Sequence, residues 1–418
     1  MRILLLTDAF PPEVRSSSHL MYELAEDLAR RGHSVAVVTC APRYNLAPGD
    51  RREGWSAREQ MNGVEVVRVP APAIHHVSHW RRGLGQLLLP VAFHRAARHL
   101  ERPDAILVYS PPLTLGLAAH WLARRWGSAF VLNVQDLFPQ NAIDLGALRN
   151  PLLIAFFRRL ERYVYQRAAA VSVHSPGNAA WLRAHGIPAD KLHTIPNWVD
   201  LEPFARAGEG AARFRRELNL SDRFVVLFAG VMGYAQDMEM IVEAAARLAD
   251  EPRVVFLLVG DGSERAGVER RVQELGLKNV RLLPFVSRAE YPALVAASGV
   301  GLVTLKKTMK TPVVPSKLAT YMAAARPVLA SLNPESDACA LIRQADCGLL
   351  VPPGDAEALA GAVRRLLEHP QQAADLGARG REYARAHLAR PACIAQYEEL
   401  LHKVLRKTKP QMHTDSHR

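Results

Sequence analysis

Three lysines gather where an apolar run gives way to a loop and then a helix. Lys306 and Lys307 follow Val300–Leu305, and Lys317 lies in TPVVPSKLATYMAAARPVLAS, Thr311–Ser331. Pro312 and Pro315 remove backbone donors and fix φ, so this stretch opens as a loop. Ser316 stands where a helix N-cap belongs. Small apolar residues then suit a helix, Arg326-Pro327 breaks it, and Val328–Ser331 reads as a short buried strand. A helix N-terminus offers free N–H groups and positive potential, a seat for phosphate. A lysine in the first turn gains nothing from the helix dipole. Lys317 is thus either a solvated surface lysine or a cation facing a bound anion. With Lys306 and Lys307 at the same strand mouth, the three read as a diphosphate clamp.

Other strand ends carry polar groups. Gly230-Val-Met-Gly233 follows Phe224–Ala229, and its two glycines allow backbone to approach a ligand closely. The dinucleotide fingerprint GxGxxG is absent, which argues against a nicotinamide or flavin enzyme. Gly260-Asp-Gly262, after Val254–Val259, reads as turn chemistry. Gln135-Asp136 follows Ala129–Val134; an amide and a carboxylate there suit hydroxyl groups, or the aspartate is only a cap. In Asp8–Ser18, after the first strand, Ser16 and Ser17 supply donors near a helix start, for a phosphate or sugar or as a plain capped loop. No metal ligand set is evident; His75, His76 and His79 sit among Trp80, Arg81 and Arg82 as a surface segment.

These loops need a scaffold. Strands Arg2–Thr7, Ser34–Thr39, Val64–Val69, Ala105–Ser110 and Ala129–Val134 alternate with helices such as Leu20–Arg31 and Leu113–Trp126. A second series runs Phe224–Ala229, Val254–Val259, Asn279–Phe285, Val300–Leu305, Val328–Ser331 and Gly348–Pro352, with helices Met238–Asp250 and Ala356–Glu368. Continuous apolar strands separated by helices mean parallel sheets covered on both faces. The expected fold is α/β, with two doubly wound domains at 1–205 and 206–390 facing across a cleft. Ala205–Ala212 reads as a flexible linker. Within 391–418, Ala392–Leu405 is expected to be a helix crossing back to the first domain, followed by a polar tail.

The chain has 418 residues, 49% of them hydrophobic, enough for true cores. The apolar run in MRILLLTDAF is too short for a signal peptide and reads as a first strand. Four dispersed cysteines without a CxxC pair indicate neither a zinc site nor a disulfide framework, and fit a reducing cytosol. The net charge of +12 suits phosphorylated ligands or an anionic membrane. Nucleic acid is disfavoured, because no basic run carries interleaved aromatics. His75–Arg102 and Leu152–Arg167 are basic and apolar together. Each reads as a membrane-interface helix or as a helix packed on its own sheet.

The motifs FPPEVRSSSHLMYELAEDLARRGHSVAVVT, VLNVQDLFPQNAIDLG, SPGNAAWLRAHGIPADKLHTIPNWVD, VLFAGVMGYAQDM, LLVGDGSER, VPSKLATYMAAARPVLAS and CGLLVPPGDAEAL occur in that order. Together they resemble the family 4 retaining glycosyltransferases of GT-B fold, in particular the colanic-acid and fucosaminyl transferase branch of bacterial surface polysaccharide synthesis. The resemblance implies transfer of a hexosyl or N-acetylhexosaminyl group from a nucleotide sugar, expected to be a UDP-sugar, with retention. It implies no cofactor and no metal. The donor would lie on the second domain, with Gly230, Gly233, Lys306, Lys307, Ser316 and Lys317 at its phosphates. The acceptor, a lipid-linked glycan, would lie on the first domain near Ser16, Ser17, Gln135 and Asp136. Asp136 and Lys317 are the catalytic candidates, and the inner face of the cytoplasmic membrane is the expected location. The chain also departs from the family pattern. Pro312 and Thr320 stand where Glu-x7-Glu is usual, leaving Thr320 only a hydroxyl for the ribose. Two other classes share the fold: a sugar-nucleotide epimerase and a non-catalytic partner subunit.

Overall fold

Runs of valine, leucine and isoleucine without polar alternation make strands that must be covered on both faces. A computed structural model of the chain describes residues 1–42, 46, 56–70 and 79–408, and it contains two such sheets. The first comprises β1 (Arg2–Leu6), β2 (Ser34–Cys40), β3 (Arg58–Met61), β4 (Val64–Val69), β5 (Ala105–Ser110), β6 (Ala129–Val134), β7 (Ala170–Val173) and β8 (Leu192–Thr194). Their spatial order is β3-β4-β2-β1-β5-β6-β7-β8, parallel except for the β3–β4 pair. The second comprises β9 (Phe224–Ala229), β10 (Val254–Val259), β11 (Val280–Leu283), β12 (Val300–Thr304), β13 (Val328–Ser331) and β14 (Gly348–Val351). Its order is β11-β10-β9-β12-β13-β14, parallel throughout.

Alternate residues of each strand face opposite layers. Leu4 and Leu6 join a core shared with the helices His79–Ala97, Leu115–Trp126 and Pro151–Arg167. Ile3 and Leu5 join a core under the helices Ser16–Arg30 and Arg390–Thr408. The last helix buries Cys393, Ile394, Tyr397, Leu400, Leu401 and Val404 in that first-sheet core. The chain crosses between the sheets twice at one place. Val199 N–H donates to Leu388 O at 2.9 Å, and Arg390 N–H donates to Val199 O at 3.2 Å. The buried Arg390 guanidinium holds Glu26 at 2.8 Å and Asp27 at 2.7 Å and 2.9 Å, fixing the returning strand to the first helix.

Differences from the sequence reading cluster at ends and short elements. The first helix begins at Ser16 rather than Leu20, so Ser16–Ser18 form its first turn. The helix after β9 ends at Ala246. The stretch expected as a linker is folded: the helices Glu202–Ala205 and Gly208–Glu217 occupy it. Strands β3, β7 and β8 have no counterpart in the sequence reading; each is three or four residues long.

Candidate active site

In each sheet the strand order reverses at one point, and there the loops diverge to leave a crevice at the carboxyl ends. In the first sheet the reversal lies between β1 and β5, and in the second between β9 and β12. The predicted residues fall at these two mouths.

On the first-domain side, Asp8 follows β1 and is buried. Arg15 reaches it at 3.2 Å. Burial raises the Asp8 pKa, and Arg15 opposes the rise. Tyr109, near the end of β5, is buried, as is Ser17 in the first turn of the first helix. Its pKa is raised first by burial, then by the nearby Asp136 and Asp8 charges. Asp136 is open to solvent within the cleft, yet dense surrounding protein raises its carboxyl by desolvation. Gln135 is buried and both ends of its amide are committed: it donates to Asn133 Oδ1 at 2.8 Å and accepts from Asn197 at 2.7 Å. These two bonds fix its amide next to Asp136 in the chain. Ser16 is exposed and meets Ser316 of the second domain, oxygen to oxygen, at 2.8 Å.

On the second-domain side, Lys317 is half-buried at the start of the helix Lys317–Ala323. Its Nζ donates to Gln236 Oε1 at 3.1 Å and lies 3.9 Å from the centre of the Phe228 ring. Among the described residues no carboxylate pairs with it. Desolvation alone pushes its pKa down to about 7. Gly230 has φ +145°, and a Cβ there would stand 3.6 Å from Lys317 Cε. Gly260 and Gly262 do more than turn. A Cβ on Gly260 would fall 1.9 Å from Gly230 O, and one on Gly262 would fall 2.4 Å from Met232 O. The β9 and β10 loops therefore interlock backbone to backbone, through Gly230 N–H to Val259 O at 2.9 Å and Met232 N–H to Asp261 O at 2.8 Å. A Cβ on Gly233 would meet only Val231, at 3.7 Å.

The other two lysines expected at this strand mouth stand differently. Lys306 Nζ lies 3.8 Å from the Tyr234 ring centre, on the same loop that carries Gln236. Lys307 is exposed, and the structure gives its side chain no contact with that loop. Ser316 precedes the helix, but its backbone is helical and its side chain caps nothing; it turns to Ser16 instead. Thr320 Oγ1 donates to Lys317 O at 2.8 Å and lies 3.2 Å from the Tyr291 hydroxyl, so it holds the lysine's turn.

Further contacts join the two walls. Arg288 pairs with Glu23 and lies 3.5 Å from His19. Burial, then Arg288, pushes His19 down to about 4. Gly177 N–H, at the start of one first-domain helix, donates to Asp337 Oδ2 at 2.9 Å, itself at the start of a second-domain helix. Both helix N-termini favour that carboxylate. Lys310 N–H donates to Asp144 at 3.3 Å. Sequence reasoning missed Arg15, Tyr109, Gln236 and Arg288. Asp8 and Arg15 were visible as polar residues after β1, whereas Tyr109 lies inside an apolar strand with no local signal.

Known proteins agree with this architecture. Residues 18–198 match the model of a glycosyl transferase 4-like domain, and residues 223–369 that of glycosyl transferases group 1. The chain is 27% identical to WcaI of Escherichia coli strain K12, named for colanic acid biosynthesis glycosyl transfer, over 95% of this chain and 98% of that protein. It superposes on HepE of Anabaena, crystallised with UDP, with a TM-score of 0.72 and 19% identity over 96% of this chain and all of that one (100%). Sucrose-phosphate synthase of Thermosynechococcus elongatus gives a TM-score of 0.76 at 22% identity, over 97% and 100% of the two chains. Two facing parallel-sheet domains with both switch points on one cleft are the GT-B fold, and this chain is an enzyme of the family 4 glycosyltransferases.

Proposed function

We propose that the chain transfers a sugar from a UDP-sugar, with retention, to a lipid-linked glycan in cell-surface polysaccharide biosynthesis. The observation that carries this reading is Lys317: a half-buried ammonium held, among the described residues, by an amide and an aromatic face. Such a charge is costly unless a ligand supplies its counter-charge. Beside it, the close-approach glycine Gly230 leaves room for phosphate oxygens. Lys317 and Lys306 stabilise the leaving diphosphate, so no metal is required. Complexes of HepE with UDP and UDP-glucose support a uridine donor.

In the reaction the bond from the anomeric carbon to the diphosphate oxygen breaks. The acceptor oxygen bonds to that carbon on the same face. The acceptor proton passes to a diphosphate oxygen as the leaving group departs. Asp136, open to the cleft, orients the acceptor hydroxyl.

A lipid-linked acceptor is supported by the outer surface of the first domain. Leu87, Leu88 and Val91, then Trp121, then Leu152, Leu153 and Phe156 are exposed on the three helices that cover one face of the sheet. Leu152 is 79% exposed. Arg159 and Arg162 share the third helix, as interfacial binding requires. Residues 71–78 and the side chains of 79–84 lie outside the described residues, so most of the His75–Arg82 segment adds nothing here. No helix among the described residues is long and apolar enough to cross a membrane.

A thermal-shift screen over nucleotide sugars tests the donor. Turnover then tests the class: UDP must appear only when acceptor is present. UDP release or sugar isomerisation without acceptor would indicate an epimerase, and affinity for no nucleotide a partner subunit. Sedimentation with anionic vesicles should weaken in a Leu152→Asp, Phe156→Asp variant.

A further inference from the structure

Far from the cleft, the helix Arg390–Thr408 brings a glutamate and a histidine one turn apart against a histidine of the first domain. We infer that His33, Glu398 and His402 form a zinc site that staples this returning helix to the first domain. One ligand atom from each lies within 4.8 Å of the other two. His33 sits in the turn between the helix Ser16–Arg30 and β2, and its Nε2 is 2.7 Å from Glu398 Oε1. The His33 and His402 rings are 6.1 Å apart, centre to centre. Positions 398 and 402 are four apart, so both side chains leave one helix face toward His33.

The chemistry suits zinc rather than magnesium or calcium. Two imidazoles and one carboxylate are borderline-soft ligands, and they leave a fourth tetrahedral position for water. Zinc bonds of about 2.0–2.2 Å require only side-chain adjustment from the observed separations. The carboxylate is already oriented from outside. Arg31 Nη1 donates to Glu398 Oε2 at 2.8 Å, and Arg31 Nη2 donates to Pro391 O at 3.0 Å, so Oε1 is the atom turned to His33. The His33 Nδ1 side is occupied separately, 3.2 Å from the Met1 amino nitrogen. His33 lies 365 residues before Glu398 in the sequence. An ion there therefore resists peeling of the helix that carries the second crossing strand.

Zinc titration of the untagged, chelator-stripped full chain tests the site. The wild type should bind about one equivalent, and the thermal midpoint should rise with zinc. Cobalt in place of zinc should give the intense visible absorption of a tetrahedral site. His402→Ala removes an exposed side chain, so the apo fold should survive, as far-ultraviolet circular dichroism will show. That variant and Glu398→Gln should bind zinc about tenfold to 100-fold more weakly and lose the cobalt spectrum. No zinc binding by the wild type overturns the inference. So does binding that both variants retain, which would place the ion elsewhere, for instance on His413 and His417.

Discussion

The two walls of the cleft treat their charges differently. On the first-domain wall Asp8 is buried but has Arg15 at 3.2 Å, and Arg15 also meets the buried Glu13 at 3.5 Å. Beside it Asp136 has no counter-charge among the described residues. On the second-domain wall Lys317 likewise has none, only an amide and a ring. Desolvation by the surrounding protein moves both unpaired groups toward neutrality, raising the acid and lowering the amine. A charge with a partner inside the protein, such as Asp8 with Arg15, shapes a wall. An unbalanced charge marks where a ligand must complete the electrostatics, as an anion beside Lys317 and a hydroxyl beside Asp136.

The largest break in this contrast should come from Lys317→Ala. The rate in a donor-saturated assay should fall about 100- to 1,000-fold, with the fold retained by circular dichroism. UDP affinity should fall with it. Asp136→Asn should lower the rate about 100-fold and leave UDP affinity unchanged. Equal loss of UDP binding in both variants would erase the distinction between the walls.

The contact that brings the walls together offers a smaller lever. A Cβ on Gly177 would stand 2.4 Å from Asp337 Oδ1 and 2.7 Å from its Cγ. The clash is with the movable end of a side chain, so Gly177→Ala should turn the Asp337 carboxylate away, break its bond to the residue 177 N–H and cost about tenfold in turnover, as a misplacement near 1 Å is amplified at the reacting atoms. Asp337→Ala should cost about the same, and the double variant no more than either, read from initial rates.

The subtlest test is the protonation of Lys317. Its folded pKa, about 7, lies below the unfolded lysine value. Between those values the unfolded chain binds more protons. The burial of Lys317 thus costs most stability below about pH 7, and the cost fades as pH rises toward the unfolded value. A diphosphate beside the amine restores its proton. UDP binding at about pH 8 should then take up close to one proton, measured by calorimetry in buffers of differing ionisation heat. Lys317→Met should abolish that uptake.

Much of the scaffold was legible. Strands Val64–Val69, Ala105–Ser110, Ala129–Val134, Phe224–Ala229, Val254–Val259 and Val328–Ser331 stand where their apolar runs place them, because a strand buried on both faces is predominantly apolar. Strand β3, REQM, was illegible, since an antiparallel edge strand with half-exposed side chains carries no apolar signature. Lys317 was legible as a cation out of keeping with its helix. Gly260 and Gly262 were not, because their reason lies in the backbone of residues 230 and 232, a contact made across strands.

The sequence by itself determined the two parallel sheets, the placement of polar loops at strand ends and the family, since each rests on local pattern and motif order. Only the tertiary structure decided which charges are balanced. Lys306 and Lys317 both contact the loop of Tyr234 and Gln236 while Lys307 faces water, Gln135 is held by Asn133 and Asn197, and Ser316 meets Ser16 instead of capping its helix. Charge balance depends on distance through space and on desolvation. Both are set when the chain crosses at Val199 and Arg390 and closes one sheet's loops over the other's.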